Sequence, residues 1–227
     1  GSKVFNKLKG FFAIVIIDSK LDKVFMARDY NGIKPLYYYT NAEKKLIICS
    51  ELDPIKCLLD QIRIDVNSVY YTLSMLSPPT NKTIYKDIKT VNPGTLIELD
   101  LKNHRLLFED FFNFKSSSFS KNINTEEKIS HTLGEWLKSD VDVAITLSGG
   151  IDSTILAILG KKIKPNIKAY SLFLRDPIFK RWDQSTKTKK LAEKIDIDLT
   201  EVQINFEEFG SKLENIISKL DQPFCGS

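Results

Sequence analysis

Six consecutive residues, Ser148-Gly149-Gly150-Ile151-Asp152-Ser153, combine the types that anion chemistry needs. Ahead of them Val143–Leu147 reads as a strand, and behind them Asp152–Leu159 reads as a helix. A strand that ends in a glycine pair and turns into a helix aims several backbone N–H groups at one point. The helix N-terminus adds partial positive charge there. Glycine lets the backbone approach an anion with no Cβ in the way. The hydroxyls of Ser148 and Ser153 can donate as well, so the loop suits a di- or triphosphate. A carboxylate inside an anion loop makes sense only beside a cation, so Asp152 suggests Mg2+ bridging it to the phosphates. The competing reading is an ordinary turn in which Asp152 or Ser153 caps the helix. Phosphate binding is favoured because all but Ile151 are polar or glycine, at the strand–helix junction such motifs require. The lysine of a Gly-x-x-x-x-Gly-Lys-Ser/Thr loop is absent, and Gly-x-Gly-x-x-Gly does not fit. The loop therefore suits the pyrophosphate of an ATP split between α and β more than the handling of a γ-phosphate.

The surrounding sequence must hold this loop at the end of a sheet. A helix is predicted from Thr125 to about Lys138, then strand Val143–Leu147, helix Asp152–Leu159, strand Lys168–Leu174, helix Ser185–Lys194, strand Leu199–Ile204 and helix Phe206–Leu220. Alternating strands and helices with short connections imply a parallel sheet with crossover helices. The last helix repeats apolar residues at Phe206, Phe209, Leu213, Ile216, Ile217 and Leu220, predicting one buried face. Ahead of this region, Lys115–Asn124 is polar and Ser-rich and reads as a linker. Before the linker, strand-like runs dominate: Phe11–Ile17, Lys23–Arg28, Leu36–Tyr39, Leu46–Ser50, Thr95–Leu101 and Arg105–Phe108, separated by turns such as Asn31-Gly32 and Pro93-Gly94. Phe11–Ile17 is apolar on both faces, as in a strand covered on both sides. Helices are expected over Pro54–Leu59 and, after an Asp65 cap, Asn67–Leu76.

Composition excludes several classes. With 227 residues, 42% hydrophobic and 27% charged, the chain reads as a soluble globular protein of one large or two small domains. The net charge is +4, and basic residues cluster only briefly, at Lys161-Lys162 and Lys187–Lys190, so no nucleic-acid footprint is evident. The longest apolar run, Phe11–Ile17, is far below the ~20 residues that span a bilayer. Cys49, Cys57 and Cys225 form no Cys-x-x-Cys pair, and their odd number argues for a reducing cytoplasm. Cys49 within a strand and Cys57 within an apolar helix are expected to be buried and inert. His104 and His131 are too far apart in the pattern to support a catalytic triad or a His metal cluster. Arg28 and Asp29 are expected to pair and pin the Asn31-Gly32 turn, and Lys34, Tyr37 and Tyr38 to mark a half-buried strand. The opening Gly1-Ser2, with Met26 and Met75 the only methionines, reads as part of something longer, as does the ending Gly226-Ser227.

On these residues the sequence resembles a known family. Ser148–Ser153 looks like the pyrophosphate loop of the ATP pyrophosphatase superfamily. Ser139-Asp140-Val141, together with Ala169–Leu174 followed by Asp183 and Ala192, resembles the synthetase domain of glutamine-dependent asparagine synthetase. Asp221-Gln222-Pro223 resembles that family's Asp-Glu-Pro segment, with Gln for Glu. Gly10–Ala13, Arg28–Tyr38, Ser50-Glu51 and Pro93-Gly94 resemble the latter part of its glutaminase domain. The resemblance implies an α/β and α+β architecture. A partial Ntn-hydrolase-like αββα domain would occupy residues 1–115, a linker 116–124, and a parallel-sheet, Rossmann-like ATP pyrophosphatase domain 125–227. It further implies a ligase of asparagine biosynthesis. ATP and Mg2+ activate the aspartate side-chain carboxylate as an AMP ester, and ammonia from glutamine displaces AMP. Thr146, Ser148, Gly149, Gly150, Asp152, Ser153 and Leu172 would bind the nucleotide. Thr146 and Leu172 would border the adenosine at the C-terminal ends of two parallel strands. Asp152 would be the catalytic carboxylate and Mg2+ ligand, with Asp221 a second candidate ligand. Asp183 is placed on the ATP side or as a helix cap. Partners are small molecules (ATP, aspartate, glutamine) with neither nucleic acid nor membrane, and the full-length protein is allowed a homodimer.

The chain departs from that pattern. The family's glutaminase nucleophile is an N-terminal cysteine, whereas residue 1 is Gly, and its Ser-Gly-Glu-Gly-type loop would follow residue 227. The chain alone is therefore expected to bind ATP weakly, without hydrolysing glutamine or completing an amide. Two alternatives remain: an ATP-dependent cyclase resembling β-lactam synthetase or lasso-peptide cyclase, and a non-catalytic nucleotide-binding remnant. A cysteine after the initiator Met of the longer protein would favour glutamine use over cyclisation. The first half is expected to expose apolar sheet surface and to aggregate alone.

Overall fold

The computed structural model describes residues 2–43, 45–110, 124–174, 176–177, 181 and 183–223. The chain divides into two compact units, Gly1–Ser117 with Ser218–Ser227, and Ser118–Ile217. The expected linker falls outside the described residues except for Asn124, and so does Cys225.

In the first unit the order is β1 (Ala13–Asp18), β2 (Lys23–Arg28), β3 (Tyr37–Thr40), β4 (Leu46–Cys49), α1 (Leu52–Cys57), α2 (Val66–Met75), β5 (Ile88–Thr90), β6 (Thr95–Asp100) and β7 (Arg105–Asp110). Two antiparallel sheets result, β1-β2-β6-β7 and β4-β3-β5. The pleat puts every second residue on one face. Val24 and Met26 of β2 thus stand opposite Leu99 and Ile97 of β6, and the four join Leu36, Tyr38 and Val91 in the unit's largest core cluster. Asp65 caps α2 as expected, accepting from the amides of Asn67 and Ser68.

Three expectations are corrected here. The apolar β1 is an edge strand, and Val15, Ile16 and Ile17 are exposed, Ile17 by 72%. Apolar composition on both faces makes cover favourable but does not supply a neighbour, and among the described residues β1 pairs only with β2. Ile17→Lys should therefore change stability by no more than about 0.5 kcal/mol while reducing edge-to-edge association. Denaturant titration and light scattering check this; a loss of several times that size would mean Ile17 is covered. Cys57 is exposed rather than buried, and Cys49 is half-buried. At 100° per residue, Leu52 and Ile55 take the inward face of α1 and turn Cys57 outward. Arg28 and Asp29 form no ion pair with each other among the described residues. Each grips backbone instead: Arg28 donates to the carbonyls of Gly32, Lys34 and Val91, and Asp29 accepts from four amides.

The second unit runs α3 (Thr125–Trp136), β8 (Ala144–Thr146), α4 (Ile151–Ile163), β9 (Lys168–Leu174), α5 (Ser185–Lys194), β10 (Asp198–Ile204) and α6 (Phe206–Ser218). The three strands form a parallel sheet ordered β10-β9-β8. Ile145, Leu147 and Ala169 occupy one face and pack with Ala157, Ile167, Ala192 and Ile197. On the alternate positions Thr146, Tyr170, Leu172 and Val202 are exposed. The predicted buried face of α6 is not observed: its apolar stripe is present, but no residue of the helix is buried. Periodicity fixes which side chains share a face; burial needs something to lie on it. The chain is thus a mixed α/β protein with antiparallel and parallel sheets. No described helix is long and apolar enough to cross a membrane.

Candidate phosphate site

The Leu147 amide donates to the Tyr170 carbonyl at 2.8 Å, tying the end of β8 to β9 just before the chain turns. Gly149 then adopts φ +75, a conformation L side chains rarely take, and Gly150 becomes the N-cap of α4. Among the described residues no side chain caps the start of that helix. The ordinary capping role weighed for Asp152 and Ser153 is therefore not seen. Ser153 Oγ turns back instead: it donates to the Gly150 carbonyl at 3.2 Å, accepts from the Ser148 amide at 3.3 Å, and lies 3.1 Å from Ser148 Oγ. Thr154 Oγ1 also donates to the Gly150 carbonyl, at 2.6 Å. These bonds stiffen the loop yet leave the first-turn amides of Ile151, Asp152 and Ser153 without a partner among the described residues. Unsatisfied amides at a dipole's positive end form an anion site.

The remaining sequence-derived candidates divide. Thr146, the last residue of β8, pairs in register with Tyr170, and Leu172 lies two residues further along β9. Both therefore point to the open face of the sheet, where Leu172 is 55% exposed. Asp152 is exposed in the first turn of α4. Asp183 accepts from the amide and hydroxyl of Ser185 at 2.9 and 2.8 Å, which is a helix-start role at α5. Asp221 is counted with the first unit, where Oδ1 accepts from the Leu52 amide at 2.7 Å at the start of α1. Its carboxylate is thus already engaged. His104 accepts or donates at 2.7 Å to Thr40 Oγ1, and His131 lies on α3.

Among the described residues no group of three His, Cys, Asp or Glu could hold a metal alone. One carboxylate beside an anion loop is still a donor set that fits Mg2+, which takes few protein ligands and completes its shell with phosphate oxygens and water.

Two residues beside the loop carry no signal in the sequence pattern. A Cβ on Gly149 would stand 3.0 Å from Thr188 Oγ1 and 3.8 Å from Cδ of Lys187, both in the first turns of α5. Only the fold brings them there. Lys187 reads in the sequence as one of a short basic run.

The glutamine amidotransferase domain family matches residues 1–111, and the asparagine synthase family matches residues 124–227. The two occur in one chain, in that order. Residues 124–227 thus belong to the asparagine synthase family and residues 1–111 to the glutamine amidotransferase domain family. Asparagine synthetase [glutamine-hydrolyzing] 1 of Bacillus subtilis is 28% identical over 225 residues, covering 97% of this chain and 35% of that protein. A probable asparagine synthetase [glutamine-hydrolyzing] of Acanthamoeba polyphaga mimivirus is 30% identical over 184 residues, 74% of this chain and 30% of its own length. Amidase chry2 of Gibberella zeae is 26% identical over 250 residues, 95% of this chain and 34% of its own. The chain therefore spans about a third of the length of the curated relatives it matches.

Proposed function

We propose that this chain belongs to a glutamine-dependent, AMP-forming carbon–nitrogen ligase of the asparagine synthetase type. In it, residues 125–227 would begin an ATP pyrophosphatase domain and residues 1–115 would form part of an Ntn-type glutaminase domain. The observation that carries the reading is the uncapped start of α4 behind a left-handed Gly149. The amides of Ile151, Asp152 and Ser153 receive pyrophosphate oxygens, with the hydroxyls of Ser148 and Ser153 beside them. Asp152 holds Mg2+, which when bound stabilises the charge growing on the departing pyrophosphate. Thr146 and Leu172, on the open sheet face, border the adenosine. The chemistry required is plain: a carboxylate is a poor electrophile until adenylation gives it a leaving group. Aspartate is the carboxylate and glutamine the nitrogen source by family. Asp221, bonded at α1, is left out of the metal site, and a reducing cytoplasm suits the free Cys49 and Cys57.

Equilibrium titration with ATP and Mg2+ tests this. Asp152→Ala should bind about tenfold more weakly, roughly 1.4 kcal/mol, and chelating Mg2+ should bring parent and variant together. Equal affinity with Mg2+ present would undo the assignment. A second reading, amide chemistry on a substrate other than aspartate, is favoured by the match over nearly the whole chain to a protein named an amidase. In the longer protein, aspartate-dependent exchange of pyrophosphate into ATP supports the first reading, and its absence supports the second.

A further inference from the structure

We infer that the first turns of α5 form a second wall of the phosphate site, Lys187 supplying the cation that the loop motif lacks and Thr188 a buried hydroxyl donor. This rests on the phosphate-loop reading above and adds two residues to it.

Thr188 is the stronger observation. Its side chain is fully buried, at 0% exposure, and Oγ1 makes no hydrogen bond among the described residues. A buried hydroxyl with no partner is uncommon in native proteins and calls for a reason. Here the atom lies against Gly149, the one residue of the loop at positive φ, at a spot where any Cβ would be only 3.0 Å away. The hydroxyl thus faces the loop past a residue that has no side chain. The same loop runs directly into the first-turn amides of α4, which also lack partners among the described residues. Two sets of unsatisfied donors, from two different helices, meet at one loop. An oxyanion satisfies both, and an apolar ligand satisfies neither.

Lys187 adds the charge. Its aliphatic stem passes Gly149, with Cδ 3.8 Å from the same Cβ position, and the side chain is exposed. The neighbouring Lys189 is held by Glu201 at 2.7 Å, whereas Lys187 takes part in no ion pair among the described residues. In Gly-x-x-x-x-Gly-Lys-Ser/Thr loops the lysine comes from the loop itself. In this chain that position is empty, and a lysine reaches the loop from the next crossover helix. The ligand class this selects is pyrophosphate, free or as part of a nucleoside triphosphate.

The test is calorimetric titration of the full chain with inorganic pyrophosphate and Mg2+. Thr188→Val keeps the shape and removes the donor; it should weaken binding about tenfold while leaving the ligand-free melting temperature unchanged or higher. Thr188→Ser should restore parent affinity. Lys187→Gln should weaken binding several-fold and flatten its salt dependence. A purely structural Thr188 would lower the melting temperature of Thr188→Val and leave its affinity equal to the parent's, which overturns the inference. If the parent binds pyrophosphate and Asp152→Ala weakens it, but Thr188→Val and Lys187→Gln do not, the α5 wall fails and the loop stands. If the parent binds none, both fall together.

Discussion

Asp29→Ala should destabilise the first unit by about 3–5 kcal/mol, because hydrogen bonds to a charged group contribute about 1.5–3 kcal/mol each and are not fully additive. Asp29 is 1% exposed. Its carboxylate accepts from the amides of Phe12 (3.3 Å), Asn31 (3.1 Å), Ile33 (3.0 Å) and Lys34 (3.0 Å), and so closes the turn after β2 onto the residues leading into β1. Alanine leaves those amides facing a small void with no acceptor. Hydrogen exchange of the β2 and β6 amides, which report opening of this unit, measures the loss. A change below about 1 kcal/mol would mean that water replaces the carboxylate at no cost. The same site sets a pH dependence. Burial pushes the Asp29 carboxyl up, but the four amides outweigh it and hold it below the usual carboxylate value. A depressed folded value means the stabilisation is complete above the unfolded carboxyl's ~3.9 and is lost as pH falls through the folded value. The parent should therefore weaken in acid more steeply than Asp29→Asn, which carries no titrating group there.

What the sequence discloses of this protein follows from where the information lies. Lys23–Arg28, Lys168–Leu174 and Ser185–Lys194 have the predicted bounds, because alternation or helical spacing together with flanking turns is local. The Ser148–Ser153 loop is legible for the same reason: six adjacent residues carry both the turn and the donors. β5 leaves no signal in the sequence, since Ile88–Thr90 is too short to show a period and becomes a strand through β3. Burial at β1, α6 and Cys57 is not a local property: composition names an apolar face but a neighbour decides its cover. Arg28 and Asp29, opposite charges adjacent in sequence, point apart because backbone acceptors and donors lie on either side. Thr188 was invisible for a further reason. Its meeting with Gly149 joins residues 39 positions apart across a strand and a crossover, a distance no spacing rule reaches.

That meeting yields the second large effect, at Gly149→Val. The left-handed conformation costs an L residue about 1–2 kcal/mol, with β-branching at the upper end. Forcing side-chain atoms into occupied space adds typically 1–3 kcal/mol. The Cβ would meet Thr188 Oγ1 at 3.0 Å, and Thr188 is fully buried with little room to retreat. The sum, about 2–5 kcal/mol, should appear in thermal unfolding followed by tryptophan fluorescence, since Trp136 falls in the Ser118–Ile217 unit. The two contributions separate in a double variant. Gly149→Val with Thr188→Ala removes the overlap and should recover the packing part, while the backbone part remains. Pyrophosphate binding should be lost in both, because the strained turn no longer aims the α4 amides at one point and the Cβ occupies the approach that glycine leaves open. Recovery of binding in the double variant would show that the loop needs room behind Gly149 but not its left-handed turn. In that case the convergence of amides inferred from φ +75 would have to be abandoned.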